Sequence, residues 1–128
     1  MADQAKKKIL LIDDDPYFRE KLERALEKEE CYSLDVMTGL EGVLDRVRET
    51  TPSLALISAD FEGIETLCAE WFKDRQTRRT AYLMLLYQNR PENLVAWYQK
   101  LGAVGYVSKI LLVSVLEAIN QYFIDAGD

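Results

Sequence analysis

Ile9-Leu10-Leu11-Ile12-Asp13-Asp14-Asp15-Pro16 decides how the rest of this chain is read: four apolar residues without a polar break, then three acids and a proline. A strand with one wet face alternates apolar and polar residues, whereas an unbroken apolar run is the mark of a strand covered on both faces, as in a parallel sheet between helical layers. The acids at its carboxyl end then open onto a polar crevice. Asp15 is placed to cap a following helix with Pro16 at its first position, and Phe18, Leu22, Ala25 and Leu26 recur at helical spacing, which predicts a helix to about Glu29.

The same strand-then-helix unit repeats along the chain. Leu34 to Met37 reads as a second strand, and Thr38 with Glu41 as a capping box before a helix carrying Leu40, Val43, Leu44 and Val47, stopped by Pro52. Leu54 to Ile57 is a third strand running into Ser58-Ala59-Asp60 and the turn at Gly63, followed by the helical face Ile64, Leu67, Cys68, Trp71 and Phe72. Ala81 to Tyr87 is apolar throughout and predicts a fourth strand at or beside the centre of the sheet. Leu94, Trp97, Tyr98 and Leu101 make a fourth helix closed by Gly102, Val104 to Val107 a fifth strand, and Leu111 to Ile124 a last helix. Five strands alternating with five helices predict an α/β fold with a doubly wound, five-stranded parallel sheet, because each strand-to-strand connection must be a right-handed helical crossover. Functional residues in such sheets lie at the carboxyl ends of the strands. Those positions are Asp13, Asp14, Asp15, Ser58, Asp60, Leu86, Tyr87 and Lys109.

Bulk properties narrow the classes of function. The 128 residues are 48% apolar and 30% charged, which predicts one globular domain over 1–128 with an ordered core of about 8–125. A net charge of −6 argues against nucleic-acid binding, and the short basic clusters at Lys6-Lys7-Lys8 and Arg75, Arg78, Arg79 read as solvated surface. Histidine is absent, which removes the commonest general base and zinc ligand. Cys31 and Cys68 have no metal-ligand spacing around them. With neither a leader-like segment nor an apolar run near the roughly 18 residues of a span, the expectation is a cytoplasmic protein without membrane contact.

Three segments together, ILLIDDDP from Ile9, PSLALIS from Pro52 and GAVGYVSK from Gly102, resemble the response-regulator receiver family, the CheY-like superfamily, over nearly the whole chain. The resemblance implies the (βα)5 flavodoxin-like receiver fold and a place in bacterial two-component or phosphorelay signalling. In that family an aspartate ending the third strand accepts a phosphoryl group, acids of the first strand hold Mg²⁺, and a lysine after the fifth strand pairs with the phosphoryl oxygens. By position, Asp13 and Asp14 match the metal-binding acids, Lys109 the lysine and Tyr106 the switch aromatic. The acceptor position falls on Ser58 and the position of the phosphoryl-sensing hydroxyl on Leu86; Ile110 stands where the family usually has a proline after the lysine. A cis bond before a non-proline residue costs about 2.5–4 kcal/mol, so Lys109–Ile110 is expected to be trans.

These departures imply an atypical receiver, or pseudo-receiver. A serine hydroxyl needs a base that nothing in the sequence arranges, so no catalytic residue and no enzyme activity are expected. No cofactor is required, and Mg²⁺ at Asp13 and Asp14 would be weak at most. Without a cation the adjacent acids repel, and Lys109 is expected to pair with Asp13 or Asp14. The last helix is apolar nearly all round, polar only at Ser114, Glu117, Asn120 and Gln121, and the resemblance implies a protein partner or homodimer docking on the fourth helix, fifth strand and fifth helix; Val113, Leu116 and Tyr122, with Val95 and Tyr106 nearby, are the expected contact residues. The expected function is a phosphorylation-independent interaction module. The alternative is a working receiver phosphorylated at Asp60 with Mg²⁺, although two residues of extended chain move that side chain by more than about 6 Å from the crevice. A small enzyme or flavin-type binder on the same fold would need a glycine-rich phosphate loop after the first strand, where the sequence has three acids.

Overall fold

The computed structural model describes residues 6–87, 96 and 98–127. In chain order the elements are β1 (Lys7–Ile12), α1 (Pro16–Glu29), β2 (Tyr32–Met37), α2 (Val43–Thr50), β3 (Leu54–Ser58), α3 (Ile64–Lys73), a 3-10 turn (Thr77–Arg79), β4 (Tyr82–Leu86), β5 (Ala103–Ser108) and a C-terminal helix (Leu112–Asp125). Residues 96 and 98–100, between β4 and β5, are helical. The predicted fourth-helix residues Leu94 and Trp97 lie outside the described residues.

All five strands are parallel, in the order β2-β1-β3-β4-β5. β3 is therefore the centre and β4 its neighbour. The sheet separates two cores. On one face Leu10, Ile12, Ala55, Ile57 and Met84 pack under α2, α3 and Tyr98; on the other Ile9, Leu11, Leu54, Leu56 and Leu85 pack under α1 and the C-terminal helix. Alternate residues of one strand thus serve opposite layers, which is why β1, β3 and β4 needed unbroken apolar runs. Burying Phe18, Leu22 and Leu26 fastens α1 at roughly 1.5–3 kcal/mol per side chain.

Local chemistry sets the element ends. Asp15 Oδ1 accepts hydrogen bonds from the backbone N–H groups of Tyr17 (3.0 Å) and Phe18 (3.4 Å), the cap anticipated for α1. The capping box anticipated from Thr38 and Glu41 does not form. The helix starts four residues later than that box would set it, at Val43, after Gly42 at φ +77° with no side-chain cap, because the turn is made by a left-handed glycine. At the other end of α2, Thr51 leaves the helix in the left-handed region at φ +42° with its N–H on the Val47 carbonyl, and Pro52, which cannot continue a helix, follows. Between β4 and α3, Tyr82 stacks on Trp71 with ring centroids 4.9 Å apart, and the Trp71 Nε1–H donates to the Thr80 carbonyl at 3.0 Å.

The C-terminal helix is apolar nearly all round, as its sequence indicates, but most of that surface has cover. Val115, Ile119 and Phe123 are buried, and Leu112, Leu116, Ala118 and Tyr122 are half-buried against the same core. Tyr122 meets Phe123 edge-on and Asn120 accepts from the Tyr32 hydroxyl at 2.6 Å. What stays exposed is Ile110, Leu111, Val113 and Ile124.

Candidate functional site

The carboxyl ends of β1, β3, β4 and β5 converge on Asp13. Its backbone N–H continues the ladder to the Met37 carbonyl at 3.0 Å, so the residue is held as rigidly as the strand, and its side chain is fully buried. A carboxylate that deep must be paired or neutralised. It is paired: Lys109 Nζ donates to Asp13 Oδ2 at 2.9 Å and Oδ1 at 3.2 Å, and Oδ1 also accepts the Asp15 backbone N–H at 2.9 Å. The expected ion pair thus forms with Asp13. Asp14 points to solvent and makes no ion pair with Lys109.

Lys109 reaches this position because its own N–H bonds the Leu86 carbonyl at 2.9 Å, extending the β4–β5 ladder by one step. Its ammonium lies 5.4 Å from the centroid of the Phe18 ring and 5.7 Å from that of Tyr87, while Asp15 Oδ2 stands at 3.8 Å. Two carboxylates and two aromatic faces therefore enclose one cation, an arrangement in which Coulomb attraction and the ring quadrupoles act together. Sequence places Asp15 and Tyr87 at strand ends but does not bring them, or Phe18, to Lys109: Asp15 also reads as the helix cap, which uses only Oδ1, and Phe18 reads as core. A cavity of about 240 Å³ opens beside the lysine, lined by Tyr17, Lys21, Tyr87 and Ile110 among others.

Ser58 ends β3 one step beyond the Ile12–Ile57 pairing, beside Asp13, and is buried. Its Oγ accepts the Asp60 backbone N–H at 3.3 Å. Asp60 itself is exposed in the turn after the strand. Leu86 is buried in the core on the α3 side and offers this crevice only its backbone carbonyl. Among the described residues there is no cis peptide bond, so Lys109–Ile110 is trans as expected.

The donor set does not suit Mg²⁺, which demands a near-octahedral shell of oxygens and one or two available carboxylates. Both oxygens of Asp13 are already committed to the ammonium and a backbone N–H, and the strand-end position opposite holds a hydroxyl. No cluster of three or more acidic, histidine or cysteine side chains suited to a metal occurs among the described residues.

Of the anticipated contact residues, Tyr106 and Val113 are 51% and 58% exposed, and Val104 on the same strand is 49% exposed. Leu116 and Tyr122 are partly buried against the internal core, and Val104, Ile110 and Leu111 add exposed apolar surface beside Tyr106 and Val113. Val95 lies outside the described residues.

A search of curated protein sequences finds no match. Solved structures match throughout the chain in fold, at low sequence identity. The signal receiver domain of the response regulator NarL from Mycobacterium tuberculosis superposes with a TM-score of 0.76 at 21% identity, covering 92% of this chain and 96% of that one. The chemotaxis response regulator CheY4 of Vibrio cholerae gives 0.79 at 17% identity, covering 91% and 98%. The BeF3-activated N-terminal receiver domain of Klebsiella pneumoniae RstA gives 0.74 at 21%, covering 90% and 96%. A family model adds sequence evidence to the shared fold, matching residues 9–120, and by that match the chain belongs to the response regulator receiver domain family.

Proposed function

We propose that this receiver domain works in two-component signalling as a phosphorylation-independent docking module. The observation that carries the reading is the state of the crevice: where an acceptor carboxylate is required, Ser58 holds a turn N–H, and the lysine that would meet a phosphoryl group is already bound to Asp13. A serine nucleophile needs a base to take its proton, and no histidine exists in the chain to serve. Leu86 offers no hydroxyl to register a phosphoryl group. The work then falls to the surface on which Val104, Tyr106, Ile110, Leu111 and Val113 stay exposed, with a second copy or a signalling protein as the occupant.

The deciding experiment incubates the protein with Mg²⁺ and a small-molecule phosphodonor and measures intact mass, followed by peptide mapping. No added phosphoryl mass is expected. Stable addition, on Asp60 above all, overturns the reading. In parallel, light scattering over a concentration series and pull-down from cells should detect a complex that Val113→Asp and Tyr106→Ala weaken.

A further inference from the structure

The enclosure around Lys109 is more specific than a counter-charge requires. A lone surface carboxylate facing a lysine gives one contact of small value, yet here the ammonium donates hydrogen bonds to both Asp13 oxygens, has Asp15 Oδ2 at 3.8 Å, and lies over the rings of Phe18 and Tyr87. The lysine side chain is only 5% exposed and that of Asp13 is fully buried. The chain's own ammonium thus fills the cation position between these carboxylates and rings. The atoms arrayed around Asp13 are those a divalent ion does not want: an ammonium, a backbone N–H and ring faces, with few free oxygens. To enter, such an ion would have to expel the ammonium from its aromatic walls while repelling it.

We propose that the Lys109 ammonium is the resident cation of this crevice and excludes divalent metal, so that the site stays in one state whatever the Mg²⁺ concentration. The inference rests on the same crevice as the docking reading, but the two fail separately. Metal bound without added phosphoryl mass would end this inference and leave docking intact; an absent partner would leave the metal measurement unchanged.

The test uses the full chain and the metals alone. Mn²⁺ is titrated while the amide signals of Asp13, Asp14 and Ser58 are followed by NMR, since a bound paramagnetic ion broadens nearby signals selectively. The wild type should show no selective broadening, and its melting temperature should not differ between Mg²⁺ and a chelator. Lys109→Met removes the ammonium and leaves Asp13, Asp14 and Asp15 without their internal cation; its affinity for Mn²⁺ should rise about tenfold or more, read as selective broadening and a metal-dependent rise in melting temperature. Selective broadening in the wild type overturns the proposal, and so does a folded Lys109→Met that gains no affinity. If that variant does not fold, the wild-type titration decides alone.

Discussion

Removing one partner of the Lys109–Asp13 pair should cost far more than removing both. The contact is short, 2.9 and 3.2 Å, and the side chains are 5% and 0% exposed. At an effective dielectric constant of about 20, charges about 3 Å apart attract by roughly 5–6 kcal/mol, and the desolvation of two ions offsets most of that. The net contribution of the pair is therefore small. Lys109→Met, however, leaves a buried carboxylate with only the Asp15 N–H for company and should destabilise by about 3–5 kcal/mol. Asp13→Asn leaves an ammonium that still has Asp15 at 3.8 Å and two ring faces, and should cost less, about 2–3 kcal/mol. The double variant replaces both charges, keeps an acceptor for the Asp15 N–H, and should fall well short of the sum, with a coupling of at least about 2 kcal/mol. Urea unfolding at neutral pH, followed by circular dichroism at equal denaturant slope, measures all four corners of the cycle. Additive single effects would refute the claim that the two charges are one buried unit.

Three further outcomes follow from the packing. Burial pushes the Cys68 thiol up from 9.0 to about 11 and the Tyr32 phenol up to about 12, and lifts Tyr82 well above its usual range. Because these groups hold their protons more tightly when folded, the stability they give is complete below pH 9.0 and is lost as the pH climbs towards about 11, first through Cys68; urea midpoints should fall across that window, and Cys68→Ala should reduce the drop. In the native protein a thiol reagent near pH 8 should modify exposed Cys31 and spare Cys68 until the chain unfolds, as peptide mass mapping would read. Gly102→Ala should destabilise by about 1–2 kcal/mol in the same urea assay, since φ is +100° and the added carbon would sit 3.0 Å from Phe72 Cδ1; an unchanged midpoint would contradict the glycine requirement.

The order of elements and the buried strands were open to reading from sequence because they rest on local patterns: unbroken apolar runs, helical spacing and the Asp15–Pro16 start of α1. The start of α2 was misread because Thr38 and Glu41 satisfy a capping-box pattern that competes with a glycine turn, and only the turn's geometry decides between them. The choice between Asp13 and Asp14 for Lys109 was open for a related reason. Alternation sends neighbouring side chains to opposite sides, and which side faces the crevice depends on strand order, a long-range property. The partial burial of Leu116 and Tyr122 is likewise invisible to periodicity on a helix apolar nearly all round, because the breadth of the stripe that the sheet covers is set by the surface it packs on.

The buried charge of Asp13 has to be answered within the crevice, and that shapes what can be altered in this domain. Asp13 is fixed at the end of a central strand and buried by the layers on both faces, so its charge persists whether or not chemistry uses it. Lys109 answers that charge while its own backbone closes the ladder to Leu86, which ties the last turn of the crevice to the strand that carries Tyr106. Ile110, Leu111 and Val113 follow directly after Lys109 in sequence. The ion pair therefore anchors the start of the exposed apolar surface, and a change at Asp13 should be felt there. Weaker partner binding by Asp13→Asn, in a sample still folded at the assay temperature, would establish that link; equal binding would confine the pair to stability alone.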